Sequence, residues 1–66
     1  MEIRLLRLPE VMRAVGLGRS AIYERINAGV FPRPIALGRN AVAWPSDVIT
    51  KWIDERVAES TNEAAR

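Results

Sequence analysis

Two short helical patterns stand only three residues apart, and this spacing constrains the fold more than any other feature of the sequence. The first pattern carries apolar residues at the i, i+3, i+4 and i+7 positions of an amphipathic helix: Leu8, Val11, Met12 and Val15. In the second pattern, Ile22 and Ile26 share one face and Gly29 stands where a C-terminal cap belongs. The intervening Gly16-Leu17-Gly18 allows only a tight turn. The sequence therefore predicts a helix-turn-helix.

The pattern changes after residue 30. Each proline of Phe31-Pro32-Arg33-Pro34 pushes the preceding residue into an extended conformation, which disfavours a helix. Short apolar runs at 35–37 and 41–44 flank Gly38-Arg39-Asn40, a turn whose Gly and Asn tolerate positive φ. These features predict a β-hairpin with Arg39 at its tip. Because two strands alone are marginally stable, the hairpin must pack on the helices.

A third helix is predicted from Pro45-Ser46-Asp47 onward, with Ser46 as its N-cap. Arg56 projects onto the apolar side of this helix, where we expect it to snorkel or to pair with a carboxylate. Apolar periodicity is lost over 59–66, which indicates a helix end or a flexible tail after one domain at 1–58. The apolar stripe of the helix is broad enough to cover the other elements: Val48, Ile49, Trp52 and Ile53.

The predicted fold class is mainly α with a small β-hairpin, namely three helices and a two-stranded wing. A chain of 66 residues has room for one core, and this one contains no cysteine and no histidine. Disulfides, Cys/His zinc sites and the usual Ser-His or Cys-His catalytic pairs are therefore excluded. We expect a cytoplasmic protein that is not an enzyme, with no metal, no cofactor and no membrane segment.

Positive charge is concentrated in the first part of the chain. The net charge of +2 divides into +4 over residues 1–39 and −2 over residues 40–66. Nine of the ten basic residues are arginine, whose planar fork of donors fits phosphates and guanine edges. Charge alone favours nucleic-acid binding no more than it favours a solvated surface.

The second helix presents a polar face opposite its two isoleucines. In a helix-turn-helix, the second helix lies in the DNA major groove and offers side chains near its N-terminus to base edges. Arginine can bind a guanine edge, asparagine can bind an adenine edge, and glutamate can accept a hydrogen bond from cytosine. Serine and tyrosine commonly contact phosphates. The candidate DNA-binding residues of this helix are Arg19, Ser20, Tyr23, Glu24 and Asn27.

The hairpin offers a second set of candidate contacts. Arg39 and Asn40 lie at its tip and Arg33 at its base, from where they could reach neighbouring phosphates or the minor groove. The aromatic residues Trp44, Trp52 and Phe31 lie on or beside the apolar stripes, so we expect them in the core rather than as base-stacking platforms.

Together these segments resemble the AlpA family of small prophage-associated transcriptional regulators. The resemblance covers about residues 4–58. It implies the winged helix-turn-helix fold shared with phage excisionases and MerR-type regulators. The segments that carry it, in order, are Leu6-Arg7-Leu8-Pro9-Glu10-Val11, Gly16-Leu17-Gly18-Arg19-Ser20-Ala21-Ile22-Tyr23, Phe31-Pro32-Arg33-Pro34-Ile35-Ala36-Leu37-Gly38, Ala41-Val42-Ala43-Trp44-Pro45 and Trp52-Ile53.

The resemblance further implies a recognition helix at about 19–28, a wing at about 35–44 and control of prophage genes through promoter DNA. Three positions depart from the family pattern. Gly18 replaces the usual Ser or Thr cap, Ala21 replaces a common Thr, and Glu24 stands where a basic residue is common. The base preference of the family therefore does not carry over.

Three functions remain open from the sequence. The leading hypothesis is a sequence-specific regulator that binds double-stranded DNA, with further copies of itself on adjacent sites. The second is an excisionase-like recombination directionality factor that bends attachment-site DNA beside an integrase. The third belongs to another class: a protein-interaction module whose Tyr23 face or acidic third helix docks a partner.

Overall fold

The computed structural model describes residues 2–64, with side chains as far as residue 60. Three helices and a small antiparallel sheet make up the fold, which confirms the predicted class and is compatible with a winged helix-turn-helix. In chain order the elements are β1 (Leu5–Leu6), α1 (Leu8–Val15), α2 (Arg19–Asn27), β2 (Ile35–Gly38), β3 (Ala41–Pro45) and α3 (Ser46–Ala64).

The turn between α1 and α2 forms where the glycines predicted it. Gly16 adopts the left-handed conformation at φ 73°, and its N–H donates to the Met12 carbonyl at 2.9 Å. At the other end of α1, a Glu10 carboxylate oxygen accepts the backbone N–H of Arg7 at 3.1 Å, which fixes the helix start. Both ends of α1 are thus fixed by hydrogen bonds.

The end of α2 is a Schellman motif. Gly29 has φ 79°, its N–H donates to the Ile26 carbonyl at 3.1 Å, and the N–H of Val30 donates to the Arg25 carbonyl at 3.0 Å. Gly29 therefore terminates the helix as predicted, because only glycine adopts this conformation without steric cost. The motif turns the chain toward the extended segment that leads into the hairpin.

The hairpin belongs to a sheet of three strands in the order β1-β3-β2. Strands β2 and β3 pair Ile35 with Ala43, Ala36 with Val42 and Gly38 with Ala41, with an irregularity between Ala36 and Gly38. The turn residue Asn40 has φ 62°, a conformation that asparagine tolerates better than most residues. The hairpin is therefore as predicted, but its turn consists of Arg39 and Asn40, because Gly38 ends β2 and does not adopt positive φ.

Strand β1 was not predicted. It pairs antiparallel with β3, with Leu5 opposite Pro45 and Leu6 opposite Trp44. A two-residue strand is too short to show alternation in the sequence. The sheet therefore has three strands, the two of the hairpin and β1. Strand β1 brings the N-terminal segment beside the start of α3.

Aromatic side chains fill the space between the hairpin and the helices, as predicted. Trp44 is fully buried, and its indole N–H donates to the Pro32 carbonyl at 2.9 Å. Phe31 packs edge-on against both Trp44 and Trp52, at 6.5 and 4.9 Å between ring centroids. The buried core cluster contains Leu6, Val11, Ile22, Ile26, Phe31, Trp44 and Ile49.

Helix α3 follows β3 without a linker. Ser46 is the first residue of α3, and its hydroxyl oxygen accepts the backbone N–H of Arg4 at 2.8 Å rather than an N–H of the first helical turn. Ser46 therefore does not act as the predicted N-cap, and its hydroxyl ties α3 to the N-terminal segment instead. Arg56 donates to Glu59 at 2.8 Å and lies 5.2 Å from the Trp52 ring centroid, which identifies the carboxylate partner that the sequence left open. Residues 59–64 continue α3, whereas the end of the predicted tail, 65–66, lies outside the described residues.

Candidate nucleic-acid interface

Helix α2 turns its polar face to solvent. Ile22 and Ile26 are buried in the core cluster, because a step of about 100° per residue puts them on one side of the helix. The five residues predicted to contact DNA lie on the remaining surface and are all exposed: Arg19, Ser20, Tyr23, Glu24 and Asn27.

The hairpin candidates are exposed as well. Arg39 and Asn40 form the turn between β2 and β3, and Arg33 lies between the two prolines that precede β2. The hairpin register holds the turn at a fixed distance from the core, since Val42 packs against the core cluster and Ala43 is buried. The tip is thus attached to the core through β3.

A cleft of about 380 Å³ lies where α1, α2 and the hairpin meet. We call it the wing cleft. It brings together Arg19 and Tyr23 of α2 with Asn40 of the hairpin turn, which are far apart in the sequence. The other candidate residues lie outside its lining. The complete lining is Arg7, Leu8, Pro9, Arg19, Tyr23, Asn40 and Val42.

Arg7 is the residue of this site that the sequence reasoning missed. Its Nε–H donates to the Val42 carbonyl oxygen at 3.0 Å, which joins the start of α1 to β3. The contact spans 35 positions of sequence, so no local pattern reveals it. The signal available in the sequence was the position of Arg7 just before a predicted helix that has Pro9 in its first turn. This signal indicates a helix boundary rather than a contact with the hairpin.

The arginines of this region carry unneutralised charge. Among the side chains of residues 2–60, the ion pairs join Arg4 to Glu10 at 3.9 Å and Arg56 to Glu59 at 2.8 Å. Neither involves Arg7, Arg19, Arg33 or Arg39. Four guanidinium groups are therefore available to an anionic partner, and Glu24 is the acidic residue of the exposed α2 face.

The described part of the chain contains no group of three His, Cys, Asp or Glu side chains arranged to hold a metal ion. Within residues 2–64, no helix is both long enough and apolar enough for a membrane crossing.

The chain is similar to a known protein family and to two known proteins. The family model described as "Prophage CP4-57 regulatory protein (AlpA)" matches residues 4–57. The chain is 49% identical over 55 residues to the uncharacterized protein ORF88 of Enterobacteria phage P4, covering 83% of this chain but only 62% of the phage protein. It is 33% identical over 60 residues to the DNA-binding transcriptional activator AlpA of Escherichia coli K12, covering 82% of this chain and 86% of that protein.

Proposed function

Since the chain belongs to the AlpA family of prophage regulatory proteins, as its motifs indicated, we propose that it is a sequence-specific DNA-binding transcriptional regulator. Helix α2 enters the major groove, and the hairpin lies on the adjacent backbone or minor groove. Residues 1–58 form the DNA-binding domain, acting in the cytoplasm. The name of the E. coli relative, a DNA-binding transcriptional activator, supports this assignment.

One observation carries the proposal: the exposed face of α2 and the hairpin turn share the lining of the wing cleft. A helix in the major groove and a loop on the flanking backbone must approach one duplex from the same side of the protein. The positions of Arg19, Tyr23 and Asn40 around one cleft meet this requirement. The unpaired guanidinium groups nearby match the charge of the phosphates.

Each exposed residue of α2 has a role suited to its chemistry. Arg19 binds a guanine edge, Asn27 an adenine edge, and Glu24 accepts a hydrogen bond from a cytosine amino group. Ser20 and Tyr23 hold phosphates. Because these two contacts carry no base information, they fix the position of α2 in the groove while the other three read the sequence.

The hairpin contributes affinity rather than base selection. Arg39 and Asn40 contact the backbone or enter the minor groove, and Arg33 contacts phosphate at the base of the hairpin. A single copy presents one short helix and one hairpin, which gives a small footprint. Tight binding therefore involves further copies of the protein on adjacent sites.

We expect a strong dependence of DNA binding on salt. If four phosphates are neutralised per copy, log K falls with log salt at a slope of about −3.6. The measurement is fluorescence anisotropy at several salt concentrations, using a duplex selected by the protein from a random-sequence pool. Failure to select a duplex, or binding that is insensitive to salt, would contradict the proposal.

Footprinting separates transcriptional control from an excisionase-like role on the same DNA-binding surface. A promoter regulator protects promoter DNA. A recombination directionality factor acting beside an integrase protects repeated sites near the recombination core and bends them. Both DNA fragments can be tested with the same protein preparation, together with a gel assay for bending.

A further inference from the structure

We propose that the wing cleft binds one backbone phosphate of the DNA duplex and that Arg7 is the group that pairs with it. This inference rests on the proposed function and deepens it, because it assigns a phosphate site to the junction between α1, α2 and the hairpin. It adds a contact residue from outside both the recognition helix and the hairpin.

The geometry of Arg7 suits this role. One of its five guanidinium N–H groups is used by the Val42 carbonyl, at 3.0 Å, which leaves the two terminal nitrogens with four donors. The bond to Val42 also holds the planar group in place before DNA arrives, so less conformational entropy is lost on binding. Two oxygens of one phosphate can each accept an N–H from such a guanidinium group, which gives a bidentate contact.

The remaining lining of the cleft supports an anion. Tyr23 and Asn40 each offer a hydrogen-bond donor, and the guanidinium of Arg19, which also lines the cleft, adds a second positive charge nearby. Apolar groups of Leu8, Pro9 and Val42 form the rest of the wall. At roughly 30 Å³ per water, the cleft has room for about a dozen waters. A phosphodiester group therefore fits.

A phosphate in the wing cleft would contact both α2 and the hairpin turn. Tyr23 belongs to α2 and Asn40 to the hairpin turn, so one bound phosphate fixes the depth of the helix in the groove and the position of the hairpin together. Because the contact goes to the backbone, it fixes register without selecting a base.

The test combines protein variants with neutralised phosphates. Single phosphates of the selected duplex are replaced in turn by uncharged methylphosphonates, and the affinity of each duplex is measured for the wild-type protein and three variants. Arg7→Ala removes the charged group, and Tyr23→Phe removes only an exposed hydroxyl. Arg13→Ala is the control, because Arg13 is an exposed arginine of α1 that lies outside the wing cleft.

We expect Arg7→Ala to weaken binding to the unmodified duplex about tenfold or more, and Tyr23→Phe about fivefold. Arg7→Ala also lowers the steepness of the salt slope by about 1 and weakens all sequences alike. In the scan, one methylphosphonate position weakens the wild type and Arg13→Ala strongly but has little further effect on Arg7→Ala. Thermal unfolding checks that each variant is folded.

The outcomes separate this inference from the proposed function. Wild-type protein that binds no duplex would overturn the proposed function and this inference with it. Wild-type protein that binds, with folded Arg7→Ala at full affinity, would overturn the phosphate site alone. So would a scan in which Arg7→Ala remains as sensitive as the wild type at every position. Should Arg7→Ala fail to fold, Arg7→Gln replaces it in the same measurements, because glutamine removes the charge while keeping much of the side-chain length.

Discussion

Replacing Trp44 with alanine is expected to unfold much of the protein at 25 °C. Trp44 is fully buried and packs against Phe31, so its removal leaves a large cavity, and such a change costs about 3–5 kcal/mol. The Pro32 carbonyl also loses its indole donor. At ~0.05–0.15 kcal/mol per residue, a chain of this length has a total stability of about 3–10 kcal/mol, so the loss is a large share.

Circular dichroism during urea and thermal unfolding measures this effect. The matched control is Val57→Ala on α3, an apolar truncation at a side chain that is 57% exposed, with an expected change within about 0.5 kcal/mol. If Trp44→Ala kept the wild-type unfolding midpoint, the aromatic cluster would not be what joins the hairpin to the helices.

Arg19→Ala is expected to weaken binding to the selected duplex by about 2 kcal/mol, roughly thirtyfold. A bidentate contact with guanine supplies both affinity and selectivity, so the variant should also lose its preference at one base-pair position. The measurement is anisotropy with the selected duplex and with a set of single-base changes. Arg39→Ala, in contrast, should weaken all these duplexes by a similar factor.

The control for Arg19 is Lys51→Ala, which removes an exposed positive charge from α3 and should leave the affinity unchanged. These variants also test the protein-interaction alternative. That alternative predicts that Arg19→Ala and Arg39→Ala leave DNA affinity unchanged, while Tyr23→Ala abolishes a complex with a protein partner. An equal loss of affinity in Lys51→Ala would place the contact surface elsewhere.

Local patterns were sufficient to predict the helices and the hairpin. The spacing of Ile22 and Ile26 decided which side of α2 is buried, and therefore which side is exposed. Gly16 and Gly29 ended α1 and α2 because both adopt positive φ. These features depend on residues close together in the chain, where periodicity and turn chemistry act directly.

Features that depend on distant residues could not be predicted in this way. Strand β1 exists because Leu5 and Leu6 pair with β3, about 40 residues later, and two residues carry no alternation. Arg7 enters the wing cleft through its bond to the Val42 carbonyl. The sequence thus supplied the α2 and hairpin candidates, and the tertiary fold showed which of them meet around one cleft.

The central claim is that α2 and the hairpin turn together contact DNA. The most direct measurement is a heteronuclear NMR titration of the labelled protein with the selected duplex, which follows the backbone amide shifts of each residue. We predict the largest changes over 19–27 and 38–42 and at Arg7, with small changes along the α3 positions 50–58. Shifts concentrated on α3, or absent from both α2 and the hairpin turn, would contradict the claim.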